Sequence, residues 1–460
     1  QMTAITTLAA GNWSAAGTWT GGVAPVEGDT ATLNHAVTLN QDATVGSDPG
    51  FGGTAAITIG AAGSLTFDNA ASRTLTLKGD LKINSGGSLT IGSSGTRYNS
   101  AYVATIIFNY SASMASGKYG IRVDYSTTSV LKAYGALKTN NAYLTSQAAS
   151  GQAHIIVNDA TGWANGDTIE IASIDATGVG TTTAEERTIS GISGTDITLN
   201  SNLSSTHPAN SFIMNMTKNI IFKSYNTTNG FFADTRFGTL ANFVMDNVAI
   251  QCVGGPSTAI TGCIGFAVNG NTSAQPATGN FQNCTFYKHV GVLTSGGMLY
   301  LGGPYGAGAT INQCSFYAGA GGTSGVIFFS GYISPVFTNC VFLKVANAIF
   351  TQGGTGGVGV TISTCWFNAC NQALFITNLA FWEFSTNKYD GNLTVYALFA
   401  GTVQASVNDT GSTFGGITAN ARIFSVSAGA TPFLNLINPT FGSSEVQHLA
   451  DATHGQNFLT

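Results

Sequence analysis

Between Gly297 and Gly429 six short segments, Met298-Leu299-Tyr300, Val326-Ile327-Phe328, Ala348-Ile349-Phe350, Ala373-Leu374-Phe375, Ala397-Leu398-Phe399 and Arg422-Ile423-Phe424, place an aliphatic residue before an aromatic one every 22 to 28 residues. A second column runs beside them: an apolar residue, two polar residues, cysteine, any residue, then an aromatic. It reads Phe281-Gln282-Asn283-Cys284-Thr285-Phe286, Ile311-Asn312-Gln313-Cys314-Ser315-Phe316, Phe337-Thr338-Asn339-Cys340-Val341-Phe342 and Ile362-Ser363-Thr364-Cys365-Trp366-Phe367. Val248 upstream, then Asn387 and Pro439 downstream, stand at the cysteine position of the same pattern. Periods of about 20 to 50 residues mark stacked architectures. Each repeat holds short runs rich in Ile, Val, Phe and Thr, broken by Gly and Asn, which reads as strands joined by tight turns.

Three such strands per coil, stacked in register on the next coil about 4.8 Å away, make a parallel β-helix. Strand twist and crossover chirality make the right-handed form the expectation. The polar pair before each cysteine position suits a two-residue bend whose side chains bond their own backbone and their neighbours one coil along. These hexapeptides resemble the inner Asn and Cys stacks of pectate-lyase-type β-helices, over residues 218 to 442. The resemblance implies a fold, not an activity, because this fold hosts lyases, hydrolases, adhesins and virus spikes.

Only 8% of the 460 residues are charged and 59 are Gly, so the surface is expected to consist largely of Thr, Ser, Asn and Gly. Hydrophobic residues make up 43% and are patterned, which excludes disorder. A net charge of −5 without a Lys/Arg cluster argues against nucleic acid or an anionic membrane as partner. No apolar run reaches the roughly 18 residues of a spanning helix, and Gln1-Met2-Thr3 has no signal-peptide pattern behind it. Seven cysteines leave at least one unpaired. Those of the hexapeptide column are expected to be stacked, buried thiols, while Cys252 with Cys263, or Cys365 with Cys370, are the pairs that spacing leaves open. Free thiols suit assembly in a reducing cytoplasm, as for a phage protein made inside its host.

The opening differs in texture. Trp13, Trp19, Gly21-Gly22 and Gly28-Asp29-Thr30 precede alternating runs such as Ala36-Val37-Thr38-Leu39, Ser64-Leu65-Thr66-Phe67 and Ser88-Leu89-Thr90-Ile91. Further on come Trp163-Ala164-Asn165-Gly166-Asp167-Thr168, then Glu185-Glu186-Arg187-Thr188-Ile189, a Leu203 to His207 stretch and Lys218-Asn219-Ile220. This order resembles the eight-glycine β-domain of hyaluronan-depolymerising and fibrocystin-like proteins and of many phage and bacterial surface proteins, with Lys218 where an Arg is usual. The expected organisation is all-β: a capping domain over 1–140, a small β-module over 141–217, the parallel β-helix over 218–442 and a tail over 443–460. The two Gly-Asp-Thr triplets are expected to be turns in which Asp29 and Asp167 bond nearby backbone; the sharper alternative is a calcium or catalytic role.

Glycan-cleaving β-helices need paired carboxylates, or acids that hold calcium beside a Lys or Arg. Between 240 and 442 the acids are Asp246, Glu383, Asp390 and Asp409, of which Glu383 and Asp390, flanking Lys388, are the catalytic candidates. An exposed salt bridge is the plainer expectation for them. His35, His154, His207, His289, His448 and His454 share no metal-ligand spacing, and no serine elbow, phosphate loop or dinucleotide fingerprint occurs. No metal or cofactor is expected.

In a strand, neighbours point to opposite faces. With the aliphatic column inward, Tyr300, Phe328, Phe350, Phe375, Phe399 and Phe424 form an outward ladder, larger than a monomer normally exposes. Lateral association into a trimer or larger homo-oligomer would cover it; a glycan track is the second use, and the alternative is that the phenylalanines are core. The function expected is a non-catalytic virion component, a tail fibre, spike or surface decoration, with other virion proteins and a surface glycan as partners. The rivals are a polysaccharide-binding or polysaccharide-degrading protein and a bacterial adhesin or extracellular filament subunit.

Overall fold

The computed structural model describes residues 3–47, 55–109, 120–172, 183–225, 233–237, 242–251, 266–270, 280–287, 297–302, 310–317, 324–329, 335–352, 358–376, 380–390, 394–398, 405–415, 422–426 and 433–441. The chain divides into two compact units, 1–136 with 218–309 and 137–217 with 310–460. Each contains coils of a parallel β-helix.

In the first unit one parallel sheet runs through Ala4–Thr6, Thr30–Leu33, Ala55–Ile59, Asp80–Ile83, Ile121–Ser126, Ala233–Phe237, Phe266–Gly270 and Gly297–Gly302. A second runs from Gly11–Asn12 through Ala36–Leu39, Ser64–Phe67, Ser88–Ile91, Val130–Tyr134 and Phe243–Asp246 to Asn280–Gln282, and a third joins Ala43–Gly46 through Ala104–Phe108 and Ile220–Ser224 to Thr285–Tyr287. Strands such as Thr30–Leu33, Ser64–Phe67 and Ser88–Ile91 alternate half-buried and buried positions. Their Leu, Ile and Phe residues fill the interior, while Thr32, Thr38, Thr66 and Thr90 line the outside, where β-branching favours the strand and the hydroxyl faces water.

The coils therefore start earlier than the sequence expectation of a separate cap over 1–140. Strands before residue 134 pair in parallel with strands after 218, as in Ala104↔Ile220 and Leu131↔Phe243. The alternation of the opening segment is that of a coil with one face in and one out, and without the Cys-type hexapeptides it carries no repeat that marks it as such. Trp13 and Trp19 are buried against each other, edge to face at 4.9 Å, with Trp19 Nε1 donating to the Trp13 carbonyl at 2.7 Å.

In the second unit the coils hold strands 324–329, 347–352, 372–376, 394–398 and 422–426 in one sheet and 310–312 to 433–437 in another. The third sheet is Ser315–Tyr317, Val341–Leu343, Trp366–Asn368, Lys388–Asp390, Thr413–Gly415 and Thr440–Phe441. Stacked on one another inside that third sheet are Phe316, Phe342, Phe367, Tyr389 and Phe414, with successive ring centroids 4.7, 5.0, 5.1 and 5.1 Å apart and planes within 19°. The spacing is that of the coils, so each residue two after the cysteine position lands on its counterpart.

The bend before the cysteine position has one conformation throughout. Asn247, Asn283, Gln313, Asn339, Thr364, Thr386 and Asn438 have φ between 50° and 57°, and Gly411 has φ 70°. Only the second polar residue takes the left-handed region, where Asn is the best tolerated after Gly. Its amide still reaches the next coil: Asn247 N donates to Gln282 O at 2.8 Å, Asn339 N to Ser363 O at 3.1 Å and Thr386 N to Thr410 O at 2.9 Å. Inside the corner a polar column continues the ladder. Cys340 N donates to Cys365 Sγ at 3.4 Å, Cys365 N to Asn387 Oδ1 at 2.9 Å and Asn387 N to Ser412 Oγ at 3.0 Å. Cys284, Cys314, Cys340, Cys365 and Cys370 are free and buried, so the Cys365–Cys370 pairing left open by spacing is not made; Cys252 and Cys263 lie outside the described residues.

The module at 137–217 is a six-stranded antiparallel sheet in the order Asn141–Tyr143, Phe212–Asn215, Thr168–Ile171, Glu185–Ser193, Asp196–Leu199, His154–Ile156. Leu144, Ile155, Val157, Trp163, Ile169, Ile189, Ile197 and Ile213 form its core.

Candidate functional site

On the third sheet of the second unit, alternation turns Ser315 and Tyr317, Val341 and Leu343, and Trp366 and Asn368 away from the ring stack. Outward positions of a β-helix normally meet water, yet Ser315, Tyr317, Val341, Leu343 and Asn368 are all buried. The module supplies the cover. Asn140 Nδ2 donates to Gln313 O at 2.8 Å and to Ser315 Oγ at 2.7 Å, Ser315 Oγ donates to Asn141 Oδ1 at 2.6 Å, and Asn141 Nδ2 donates to Asn339 O at 3.0 Å. Phe212 meets Trp366 edge to face at 5.0 Å, and Lys388 Nζ lies 3.7 Å from the centre of the Trp366 ring, a cation–π contact at the rim of the junction.

At this junction sits Glu170, 1% exposed, on the strand Thr168–Ile171. Its register partner across the antiparallel pair is Glu186 and on the other side Met214. Burial first, then the Glu186 charge, pushes the Glu170 carboxyl up to about 8, against the pull of Lys344, the Tyr317 hydroxyl and Arg187. Burial and Glu170 likewise drive the Tyr317 phenol far above its ordinary range. Glu170 Oε2 and Trp366 Nε1 are buried without a hydrogen-bond partner. A carboxylic acid kept neutral is the chemistry of a general acid, but this one is enclosed between module and coils, where its geometry serves docking.

Two further clusters hold the module together. Asp167 is the hub of the Trp-x-x-Gly-Asp turn: Lys138 Nζ donates to both its oxygens at 2.7 Å, with Ala164 N at 2.9 Å and Asn215 Nδ2 at 2.8 Å on Oδ2. Asp29 has the turn role in smaller form, accepting from Val26 N at 3.2 Å. The Glu-Arg-Thr-Ile strand and the stretch ending in His207 converge on Glu185, which accepts from Ser204 N at 2.8 Å and Ser205 N at 2.7 Å and pairs with Arg187. His207, fully buried, meets Glu185 Oε1 with Nε2 at 3.1 Å and the Ala172 carbonyl with Nδ1 at 3.1 Å. Burial opposes ionisation of Glu185, but these hydrogen bonds and the Arg187 charge outweigh it and hold the carboxyl below its ordinary range.

The sequence candidates fall elsewhere. Glu383 is exposed and its Oε1 accepts from Asn408 Nδ2 at 2.8 Å, one coil along. The side chain of Asp390 lies outside the description, as do those of Tyr300, Phe328, Phe350, Phe375 and Phe424, and the whole of Phe399. Backbone register corrects the single aromatic column. Phe350 does pair with Phe375, but Phe328 pairs with Thr351, Phe375 with Ala397 and Phe424 with Tyr396. Coils of unequal length shift the motif by one to three residues, so a pattern that repeats in sequence does not stay in line. Leu299, Ile349 and Leu374 are fully buried as expected of the inner column, yet so are Ala348 and Ala373, which share a face with Phe350 and Phe375. The aromatic column that does stack, Phe316 to Phe414, lies inside.

Among the described residues no group of three or more His, Cys, Asp or Glu side chains could hold a metal ion, and no helix is long and apolar enough to cross a membrane.

These features define a parallel β-helix protein with an inserted antiparallel module. The G8 domain family matches residues 18–143, within the stretch that carries the eight-glycine resemblance. Solved structures similar to the chain include the tailspike gp61 of Pseudomonas phage phi297, with 11% identity, 83% of this chain and 71% of that chain covered and a TM-score of 0.25. The tailspike protein gp49 of Pseudomonas phage LKA1 is 11% identical, covering 84% of this chain and 72% of that one at a TM-score of 0.23. A glycoside hydrolase is 7% identical, covering 83% and 92% at a TM-score of 0.22. No curated protein sequence matches the chain.

Proposed function

We propose that this chain is a non-catalytic structural or host-recognition component of a virus particle, a spike, fibre or surface decoration whose coils act as scaffold and whose outer faces meet other subunits or a surface glycan. The observation that carries the reading is the use of the coil carboxylates. Asp246 is bound by Arg97 at 2.5 Å and by its neighbour Asn247 at 2.8 Å, Glu383 by Asn408 one coil along, and Asp409 by Ser412 across its own corner, so each of these carboxylates is held in a structural contact. The buried free thiols suit a particle assembled in a reducing cytoplasm.

The test combines light scattering of the purified native chain with incubation on host surface polysaccharide. A homo-oligomer, expected to be a trimer, that binds the polysaccharide or particle components and releases no reducing ends supports the reading. A monomer that cleaves the polysaccharide and loses that activity on Glu383→Gln or Asp390→Asn overturns it in favour of a depolymerase.

A further inference from the structure

We propose that the 137–217 module is latched onto its coils by Glu170 in its uncharged form, and that the latch loosens as the surroundings turn from acid to alkaline. The module meets the coils through Asn140, Asn141, Phe212 and Glu170, and of these only Glu170 can change charge. Its carboxyl is 1% exposed and one oxygen, Oε2, has no partner. A neutral acid tolerates that enclosure, since it has one proton to place and little charge to solvate. A carboxylate left buried with an unsatisfied oxygen is the costly case.

The charged and titratable groups facing it do not remove the cost. From the neighbouring strand come Glu186, directly opposite in register and repulsive, and Arg187; from the coils come the Tyr317 hydroxyl and Lys344. Met214, its partner on the other side, is apolar. Burial and Glu186 outweigh Lys344, Tyr317 and Arg187, which is why the docked carboxyl titrates near 8 rather than 4.5. The sign follows from linkage. Between these two values the undocked module gives up the proton and the docked one keeps it, so docking weakens about tenfold per pH unit across that window. Docking is tightest in acid, and the loss is complete once pH passes the docked value. Release uncovers the strip of Tyr317, Val341 and Leu343.

Hydroxyl-radical labelling of the Leu343 side chain, fully buried beneath the docked module, reads the latch in the full chain. Taken as a ratio to Glu170→Gln at the same pH, which cancels the intrinsic pH dependence of labelling, the wild-type rate is expected to rise about tenfold per pH unit from about pH 5 to about pH 8 and then level. Glu186→Gln, by removing the like charge, moves the upper end of the window down. Lys344→Gln, by removing the cation, moves it up. These two variants carry the test should Glu170→Gln fail to fold. A wild-type profile without that rise, or with an upper end unmoved by both Glu186→Gln and Lys344→Gln, overturns the proposal.

Discussion

A residue with positive φ is held in place by its neighbours, and the corner preceding each buried cysteine position shows how far that can go. Asn fills four of these eight left-handed positions, but Thr364 and Thr386 fill two, with φ 52° each. A β-branched side chain there is strained. Thr364 is compensated, because its hydroxyl donates to Asn339 Oδ1 at 2.6 Å on the adjacent coil. Thr386 is exposed and its hydroxyl has no such partner among the described residues; a Cβ added at Gly411 would lie 3.7 Å from Thr386 Cγ2. Thr386→Asn is therefore expected to stabilise the chain by about 0.5–1 kcal/mol, raising the thermal midpoint, whereas Thr364→Asn gains less because it gives up the hydroxyl contact. A lower midpoint for Thr386→Asn would sink this account. The sequence made the bend legible, since the polar pair recurs, but not which of the two residues turns the chain. That depends on the backbone, and both positions are polar.

Elements were legible where chemistry repeats at a fixed offset and misread where coil length varies. The Cys-x-aromatic hexapeptides sit close to their corner, so Phe316, Phe342 and Phe367 stack without slip. The aliphatic-aromatic segments follow loops of unequal length, and their column breaks at Phe328, Phe375 and Phe424. Glu170, the one strongly perturbed carboxyl of the docking face, was invisible for another reason: it lies in the apolar-alternating run Thr168-Ile169-Glu170-Ile171, and only the coils packed on it from 130 or more residues away reveal it. Glu185 is the module's opposite case. Its carboxyl is held below the ordinary range, so the stability it adds is present above about 4.5, the value it has when unfolded, and is lost as pH falls through its lower folded value. Glu185→Gln leaves Arg187 and His207 facing an uncharged group and is expected to cost about 3 kcal/mol at neutral pH. Melting of the module followed from pH 7 to pH 2 should show the gap from wild type closing below about 4.5. A gap that stays constant would assign the loss to packing alone.

At the scale of the molecule, the described coils within each unit are bonded one to the next along the strands and through the corners, and in the second unit also through the interior column from Cys340 to Ser412. Cys340 and Cys365 of that column, and Cys370 outside it, are fully buried. Burial pushes Cys370 up to about 12 and holds Cys365 well above the ordinary thiol range, so neither is a thiolate at neutral pH. Cys284, Cys314 and Cys340 are equally enclosed. Of the seven cysteines in the sequence, five are free and buried in the described coils, which leaves Cys252 and Cys263 as the candidates for modification. A thiol reagent applied to the native chain is expected to add at most two labels by mass, and the five remaining cysteines are expected to react only when the coils unfold, all together if the stack opens as one cooperative body and in steps if the two units open separately. Labelling of Cys340 or Cys365 without loss of structure would mean that the interior column opens locally, and the corner hydrogen bonds from Cys340 N and Cys365 N could not then be what closes it.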